Sequence, residues 1–257
     1  MRQSTILYIE GLTVEFDGFR AIDGLSMYVD CGELRFLIGP NGAGKTTLLD
    51  VICGKTKPQR GRVIFKDNID VLRKKEHELV SLGIGRKFQT PSVFDELTVY
   101  ENMEIALKRK KGILSSIFSK KINNEEKKIL ETLELTGLLN KRDLKASHLS
   151  HGEKQILEIA MLLVQEAELI LLDEPVAGLS KEERTKMGQL LKNILNMRSC
   201  SILIVEHDMN FVRQFARRIT VMHEGKILCE GNINTIQEDP KVAEVYLGRN
   251  RKENVGH

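Results

Sequence analysis

Residues Gly39-Pro40-Asn41-Gly42-Ala43-Gly44-Lys45-Thr46-Thr47 carry the pattern G-x-x-x-x-G-K-[ST]. Phosphate oxygens need several donors in a tight concavity, and glycines let backbone N–H groups converge there without a Cβ in the way. A helix opening at Gly44 adds the partial positive charge of its N-terminus. Lys45 then sets a cation on the β- and γ-phosphates, and Thr46 offers a hydroxyl to Mg²⁺. A second constellation is Leu169-Ile170-Leu171-Leu172-Asp173-Glu174-Pro175, an apolar run that ends in two acids. Asp173 suits Mg²⁺, usually through water, and Glu174 can take a proton from an attacking water. Together the two segments point to binding and hydrolysis of a nucleoside triphosphate.

The elements that must position these residues follow from periodicity. Strands are predicted at Leu7–Glu10 with Val14–Phe16, Leu34–Ile38, Val63–Phe65, Ile84–Phe88, Leu169–Leu172, Ile202–Val205, Ile219–Met222 and Ile227–Cys229. Several are short continuous apolar runs, as in strands covered on both faces. Helices are predicted at Gly44–Ile52, Val99–Lys108, Glu125–Leu135, Gly152–Val164, Lys181–Leu195 and Met209–Phe215. The alternation predicts an α/β fold with a mainly parallel sheet, in which the Gly-rich loop follows one strand and Asp173 ends another. From about residue 91 to 164 only helical pattern and charge are found, with Asn123 and Glu126 spaced as a helix cap and its reciprocal partner. That stretch reads as a helical subdomain inserted into a core of about 1–90 and 165–257.

Composition narrows the class. The chain has 257 residues, 41% hydrophobic and 29% charged, with a net charge of +3. That charge is too small to argue for a nucleic-acid partner. The basic runs Lys108–Lys111 and Lys120-Lys121 lack the aromatic platform of a single-strand binder, and they read as a solvated face or one set against an anionic leaflet. No apolar run reaches the roughly 18 residues needed to span a bilayer, so a membrane role requires a partner that supplies the span. Cys31, Cys53, Cys200 and Cys229 are scattered without a C-x-x-C pair, the pattern of reduced and mostly buried thiols.

Leu149-Ser150-His151-Gly152-Glu153-Lys154-Gln155 lies about twenty residues before the acidic pair. In this order with the two segments above, it resembles the signature of the ABC ATPase family, and the resemblance covers almost the whole chain. It implies a P-loop NTPase (RecA-like) core with an antiparallel β portion near the N-terminus, forming one nucleotide-binding domain over 1–257. Ser150 and Gly152 are implied as phosphate contacts, and Gln89 as a residue that senses Mg²⁺ and water. Glu206-His207-Asp208 implies His207 as the histidine that contacts the γ-phosphate. Phe16 matches the aromatic that stacks on adenine, although Phe19 competes and a core role for Phe16 is equally open. Ala177-Gly178-Leu179-Ser180 matches a loop that crosses a dimer interface. His151, Glu153 and Ser180 depart from the usual glycine, glutamine and aspartate.

The resemblance also implies partners. Two ATP-binding subunits dock head to tail with ATP between Lys45 of one and Ser150 of the other, and the importer group typically pairs two different ones. Transmembrane permease subunits and an external substrate-binding protein complete the system, which places the chain on the cytoplasmic face of the membrane. DNA-repair relatives insert long coiled coils, but only about a hundred residues separate Thr47 from Leu149. Translation-type relatives carry two cassettes, whereas one Gly-rich loop and one signature are found here. Residues Gly83–Phe94 and Leu97–Asn102 are similar to the branched-chain amino acid and amide importer group. Within it, Arg86–Phe94, Leu149–Gly152 and Glu174–Gly178 look most like the ATP-binding subunit of urea importers.

Overall fold

The computed structural model describes residues 5–87, 92–109, 119–197 and 199–245. Its elements in chain order are β1 (Thr5–Phe16), β2 (Phe19–Asp30), β3 (Leu34–Ile38), α1 (Lys45–Ile52), β4 (Arg60–Phe65), β5 (Ile69–Asp70), α2 (Glu76–Leu82), β6 (Ile84–Lys87), α3 (Val99–Arg109), α4 (Ser119–Leu135), α5 (His151–Val164), β7 (Leu169–Asp173), α6 (Lys181–Met197), β8 (Ser201–Val205), α7 (Met209–Phe215), β9 (Arg218–His223), β10 (Lys226–Gly231) and α8 (Ile233–Glu238). They form two compact units, one built from residues up to Leu79 and from Ser201 onward, the other from Val80–Cys200.

In the first unit β1, β2, β4 and β5 make an antiparallel sheet in the order β2-β1-β4-β5. Alternation drives it: Leu7 and Ile9 of β1 are buried while Tyr8 between them is exposed. The alternation slips at Gly11 in β1 and Gly24 in β2, both at positive φ, and the β1–β2 register shifts there. Elsewhere in this unit β3 pairs in parallel with both β8 and β9, and β10 adds an antiparallel edge to β9. β3 and β8 are buried at every position, which explains their unbroken apolar sequences. Ser201 opens β8 as a buried hydroxyl, and the charged exception is Arg35 of β3. Its guanidinium is held by Glu33, Glu230, Thr220 Oγ1 and the Tyr28 carbonyl, so the charge is fully partnered inside the sheet.

The second unit pairs β6 with β7 in parallel and packs three helices around one apolar cluster. Val99, Met103, Ala106 and Leu107 of α3 recur at helical spacing and meet Ile129 and Leu133 of α4 and Leu157, Ala160 and Val164 of α5. α3 opens with a capping box, in which Glu101 accepts from the Thr98 N–H at 2.7 Å and Thr98 Oγ1 accepts from the Glu101 N–H at 3.1 Å. Asn102, fully buried, accepts from the Phe94 N–H and donates to the carbonyls of Phe94 and Thr98.

Several expectations need correction. The two N-terminal strand segments are one strand, because the Gly11 bulge interrupts the pattern without ending the pairing. β2, β5, α2 and α8 carry mixed or short patterns that periodicity alone did not resolve. Asn123 is not a cap: α4 starts at Ser119 and runs through it. Of the four thiols only Cys53 and Cys200 are buried, while Cys31 is exposed and Cys229 is intermediate.

Candidate nucleotide site

β3 runs straight into the loop Gly39–Gly44, and α1 follows from Lys45. The loop is shaped by backbone crowding. A Cβ on Gly39 would stand 2.1 Å from the Met222 carbonyl oxygen of β9, and one on Gly44 would stand 2.3 Å from that of Ala21 in β2. Both glycines also have positive φ, 150° and 96°, so no other residue fits either position without moving a strand. The turn between β9 and β10 backs the loop: the Gly225 N–H donates to the Ala43 carbonyl, and the Gly225 carbonyl accepts from the Asp23 N–H. Lys45 is buried, and its Nζ donates to the Gly39 and Pro40 carbonyls at 2.8 and 2.9 Å. The ammonium is thus held at the mouth of the loop by acceptors that phosphate oxygens can replace. Asn41, Gly42 and Thr46 face solvent, and Thr47 is half-buried beside them.

The same unit carries His207. β8 lies beside β3, and the Glu206 N–H donates to the Leu37 carbonyl, so the residues after β8 emerge at the same sheet edge as the loop. His207 is exposed, while Glu206 is buried and its Oε2 accepts from the His207 N–H at 3.1 Å. Asp208 caps α7 by accepting from the Asn210 and Phe211 N–H groups. Glu206 was visible only as part of a tripeptide, and its role in shaping the turn needed the structure. Phe16 and Phe19 are register partners at the end of the β1–β2 hairpin, 47% and 65% exposed. The core reading of Phe16 is therefore ruled out, and both rings remain available for stacking.

The second unit carries the acids and the signature. Asp173 ends β7 as a nearly fully buried carboxylate, and its Oδ2 lies 3.4 Å from an Arg86 guanidinium nitrogen on β6. Glu174 follows at φ 48°, a left-handed conformation uncommon outside glycine, which costs about 1–3 kcal/mol and concentrates at functional positions. Ser150 is the N-cap of α5, in a reciprocal box with Glu153. Burial pushes the Glu153 carboxyl up, but Lys141 and the Ser150 N–H outweigh it and leave the carboxyl below its usual range. Glu153 at the glutamine position therefore keeps the cap and gains a partner. His151 meets Gln155 at 3.2 Å between ring and amide nitrogens. Ser180 is likewise the cap of α6, with Glu183 as its reciprocal partner. Both Ser-x-x-Glu spacings stand in the sequence, and that spacing is the signal by which these caps could have been found. Gln89 lies outside the described residues.

Each unit by itself offers an oxygen donor of the hard kind that Mg²⁺ takes, the exposed Thr46 hydroxyl in the first and the Asp173 carboxylate in the second. Among the described residues no group of three or more His, Cys, Asp or Glu that could hold a metal is found.

The sequence pattern of the family described as ABC transporter matches residues 22–177. The probable branched-chain amino acid transport ATP-binding protein LivG of Methanocaldococcus jannaschii is 38% identical, over 95% of this chain and 97% of that protein. The high-affinity branched-chain amino acid transport ATP-binding protein LivG of Escherichia coli K12 is 33% identical, over 95% and 98%. Among solved structures, the ADP conformation of MJ1267, an ATP-binding cassette of an ABC transporter, superposes with a TM-score of 0.83 at 35% identity, over 95% of this chain and 99% of that one. The post-hydrolysis dimer of the cassette MJ0796 with ADP and Pi superposes with a TM-score of 0.74 at 27% identity, over 88% and 98%. The Gly-rich loop, the acidic strand end and the capped signature helix thus stand in a chain that belongs to the ABC transporter family, as an ATP-binding subunit and an ATPase.

Proposed function

We propose that this chain hydrolyses ATP to drive an importer of the branched-chain amino acid and urea group, with branched-chain amino acids as cargo. The observation that carries the cargo is 38% identity over nearly the full length to a protein named for branched-chain amino acid transport. Urea is the second reading, favoured by Arg86–Phe94 and by Leu149-Ser150-His151-Gly152. In this reading the whole chain is one nucleotide-binding domain at the cytoplasmic face of the membrane. It works with permease subunits, a substrate-binding protein and a second ATP-binding subunit docked head to tail. No helix among the described residues is long and apolar enough to cross a membrane, which fits a partner-supplied span. The dimer of MJ0796 supports the docking.

Each residue then has a task. The N–H groups of Gly39–Thr47 cradle the phosphates, and Lys45 exchanges the Gly39 and Pro40 carbonyls for β- and γ-phosphate oxygens. Phe16 stacks on adenine, and Ser150 with Gly152 closes on the ATP of the opposite subunit. Glu174 takes the proton of the attacking water, His207 contacts the γ-phosphate, and Gln89 orients the water. Thr46, Asp173 and Gln89 hold Mg²⁺, which neutralises charge on the phosphates when bound.

The test is uptake of labelled leucine and labelled urea in source cells carrying wild-type or Glu174→Gln protein. The expected result is loss of leucine uptake with urea uptake intact. Loss of urea uptake alone moves the cargo to the second reading, and no change in either removes both. In the purified Glu174→Gln protein turnover should fall about 10²–10⁴-fold while ATP still binds, as for loss of a general base.

A further inference from the structure

His151 opens α5 between the cap Ser150 and Gly152, and it is exposed. Two neighbours in the same unit set its ring. Gln155, one helical turn on and 1% exposed, brings its amide Nε2 to 3.2 Å from Nε2 of His151. Gly178, in the loop before α6, has φ 74°, and a Cβ there would stand 3.7 Å from both Cδ2 and Nε2 of His151. The Cδ2–Nε2 edge of the imidazole is therefore turned to Gln155 and Gly178. Nδ1 is the ring atom opposite that edge, so it is directed away from both, and among the described residues it has no hydrogen bond. An amide nitrogen can only donate, so Nε2 accepts, and a neutral ring then carries its proton on Nδ1. The same Gln155 leaves Oε1 buried without a partner among the described residues, a cost that the orientation of the ring accounts for.

We propose that His151 is a further contact for the ATP bound by the opposite subunit, donating from Nδ1 to a phosphate oxygen. The proposal rests on the reading that Ser150 and Gly152 close on that ATP. The glycine usual at this position offers an anion only its backbone N–H. Here the imidazole adds a side-chain donor between the two residues that meet the phosphates, and Gln155 fixes both its tautomer and its direction. A donor held in this way needs no reorganisation when the anion arrives. The carboxylates beside it are tied down: Glu153 accepts from the Ser150 N–H and pairs with Lys141, and Glu183 accepts from the Ser180 N–H. The Ser150 hydroxyl oxygen is likewise engaged, accepting from the Glu153 N–H at 3.2 Å, which leaves its hydrogen to donate alongside Nδ1.

The test measures ATPase kcat and KM in the assembly that co-purifies with a tag on this chain from source cells, so that ATP has whichever opposite subunit the system supplies. His151→Ala should lower kcat/KM about tenfold, the size of one hydrogen bond to a charged group, and His151→Gly should do the same. ATP binding to the isolated chain and its melting temperature should stay as in wild type, because the chain's own ATP lies at the Gly39–Gly44 loop and the His151 ring is exposed. Rescue then separates a donor from a filler. The amide nitrogen of asparagine falls where Nδ1 stands, and that of glutamine where Nε2 stands, so His151→Asn should regain most of the loss and His151→Gln should not. Rescue by glutamine as good as that by asparagine, or by neither, overturns the Nδ1 contact, as does unchanged kcat/KM in His151→Ala. Ser150→Ala in the same assembly checks the reading beneath. If it leaves kcat/KM unchanged, the signature does not meet ATP and the proposal falls with that reading; if it lowers kcat/KM while His151→Ala does not, the reading stands and the proposal alone is overturned.

Discussion

The Gly-rich loop and the signature segment of this chain are built on different principles. The Gly39–Gly44 loop is fixed by backbone against backbone: carbonyls of Met222 and Ala21 press on glycines at positive φ. The signature at the head of α5 is fixed by side chains, through the Ser150–Glu153 box and the Lys141 contact. A backbone constraint permits one residue, whereas a side-chain constraint permits any residue that makes an equivalent hydrogen bond. That difference explains why the loop follows its motif letter for letter while the signature carries His151 and Glu153 in place of the usual residues. Gly152 itself is held differently from the loop glycines. It has no positive φ, and its near neighbour is the movable end of Glu183.

Substitutions can break this contrast, beginning with the largest effect. Gly39→Ala should cost about 3 kcal/mol or more and abolish nucleotide binding, because strand β9 must move to admit a methyl. Thermal melting and ATP titration check it, and a near-normal melting temperature would show that the loop is not backbone-locked. Ser150→Ala should cost about 1 kcal/mol, the usual loss for an N-cap, and leave ATP binding to the isolated chain intact. Gly152→Ala should be nearly neutral for stability, since roughly 1 kcal/mol of helix propensity offsets the shift of Glu183. A collapse of Gly152→Ala equal to that of Gly39→Ala would erase the distinction.

The smallest effect is a pH dependence. The Glu183 and Glu101 carboxyls lie below their usual range because the Ser180 and Thr98 N–H groups bind them, and Glu153 is lowered after its burial is offset. Each depressed carboxyl stabilises the fold above the unfolded value near 4.5, and that contribution is lost as pH falls through the folded value. These three groups all lie in the second unit, so amide protection factors, corrected for the intrinsic rate at each pH, should fall at the starts of α3, α5 and α6 on acidification before that of the Gly39–Gly44 loop. An equal fall in both motifs would count against side-chain control of the signature.

Much of this was readable in the sequence, for physical reasons. Continuous apolar runs located β3, β7 and β8, and helical spacing located α3 and α5. β2 escaped because Gly24 and Asp23 interrupt its alternation, although Leu25, Met27 and Val29 are all buried. Asn123 misled because a cap pattern can also sit inside a longer helix. The Gly-rich loop and the acids were legible because their chemistry needs contiguous residues. Arg86 and Glu206 were not, because their partners are set by the fold and not by spacing: Arg86 meets Asp173 only once β6 and β7 have paired.

The three capping boxes also bear on how the chain acquires its structure. Thr98–Glu101, Ser150–Glu153 and Ser180–Glu183 each join residues three apart, so the nucleation of α3, α5 and α6 closes almost no loop. The β3–β8 pairing instead joins Leu34 to Ile202 across most of the chain, and such distant contacts form slowly. The expected folding order therefore does not start at the N-terminus: the helices of the second unit gain protected amides first, and the sheet that bears the Gly-rich loop pairs afterwards, once β8 joins β3. Pulse-labelled hydrogen exchange during refolding reads this directly, and early protection in β3 and β8 would reverse the order.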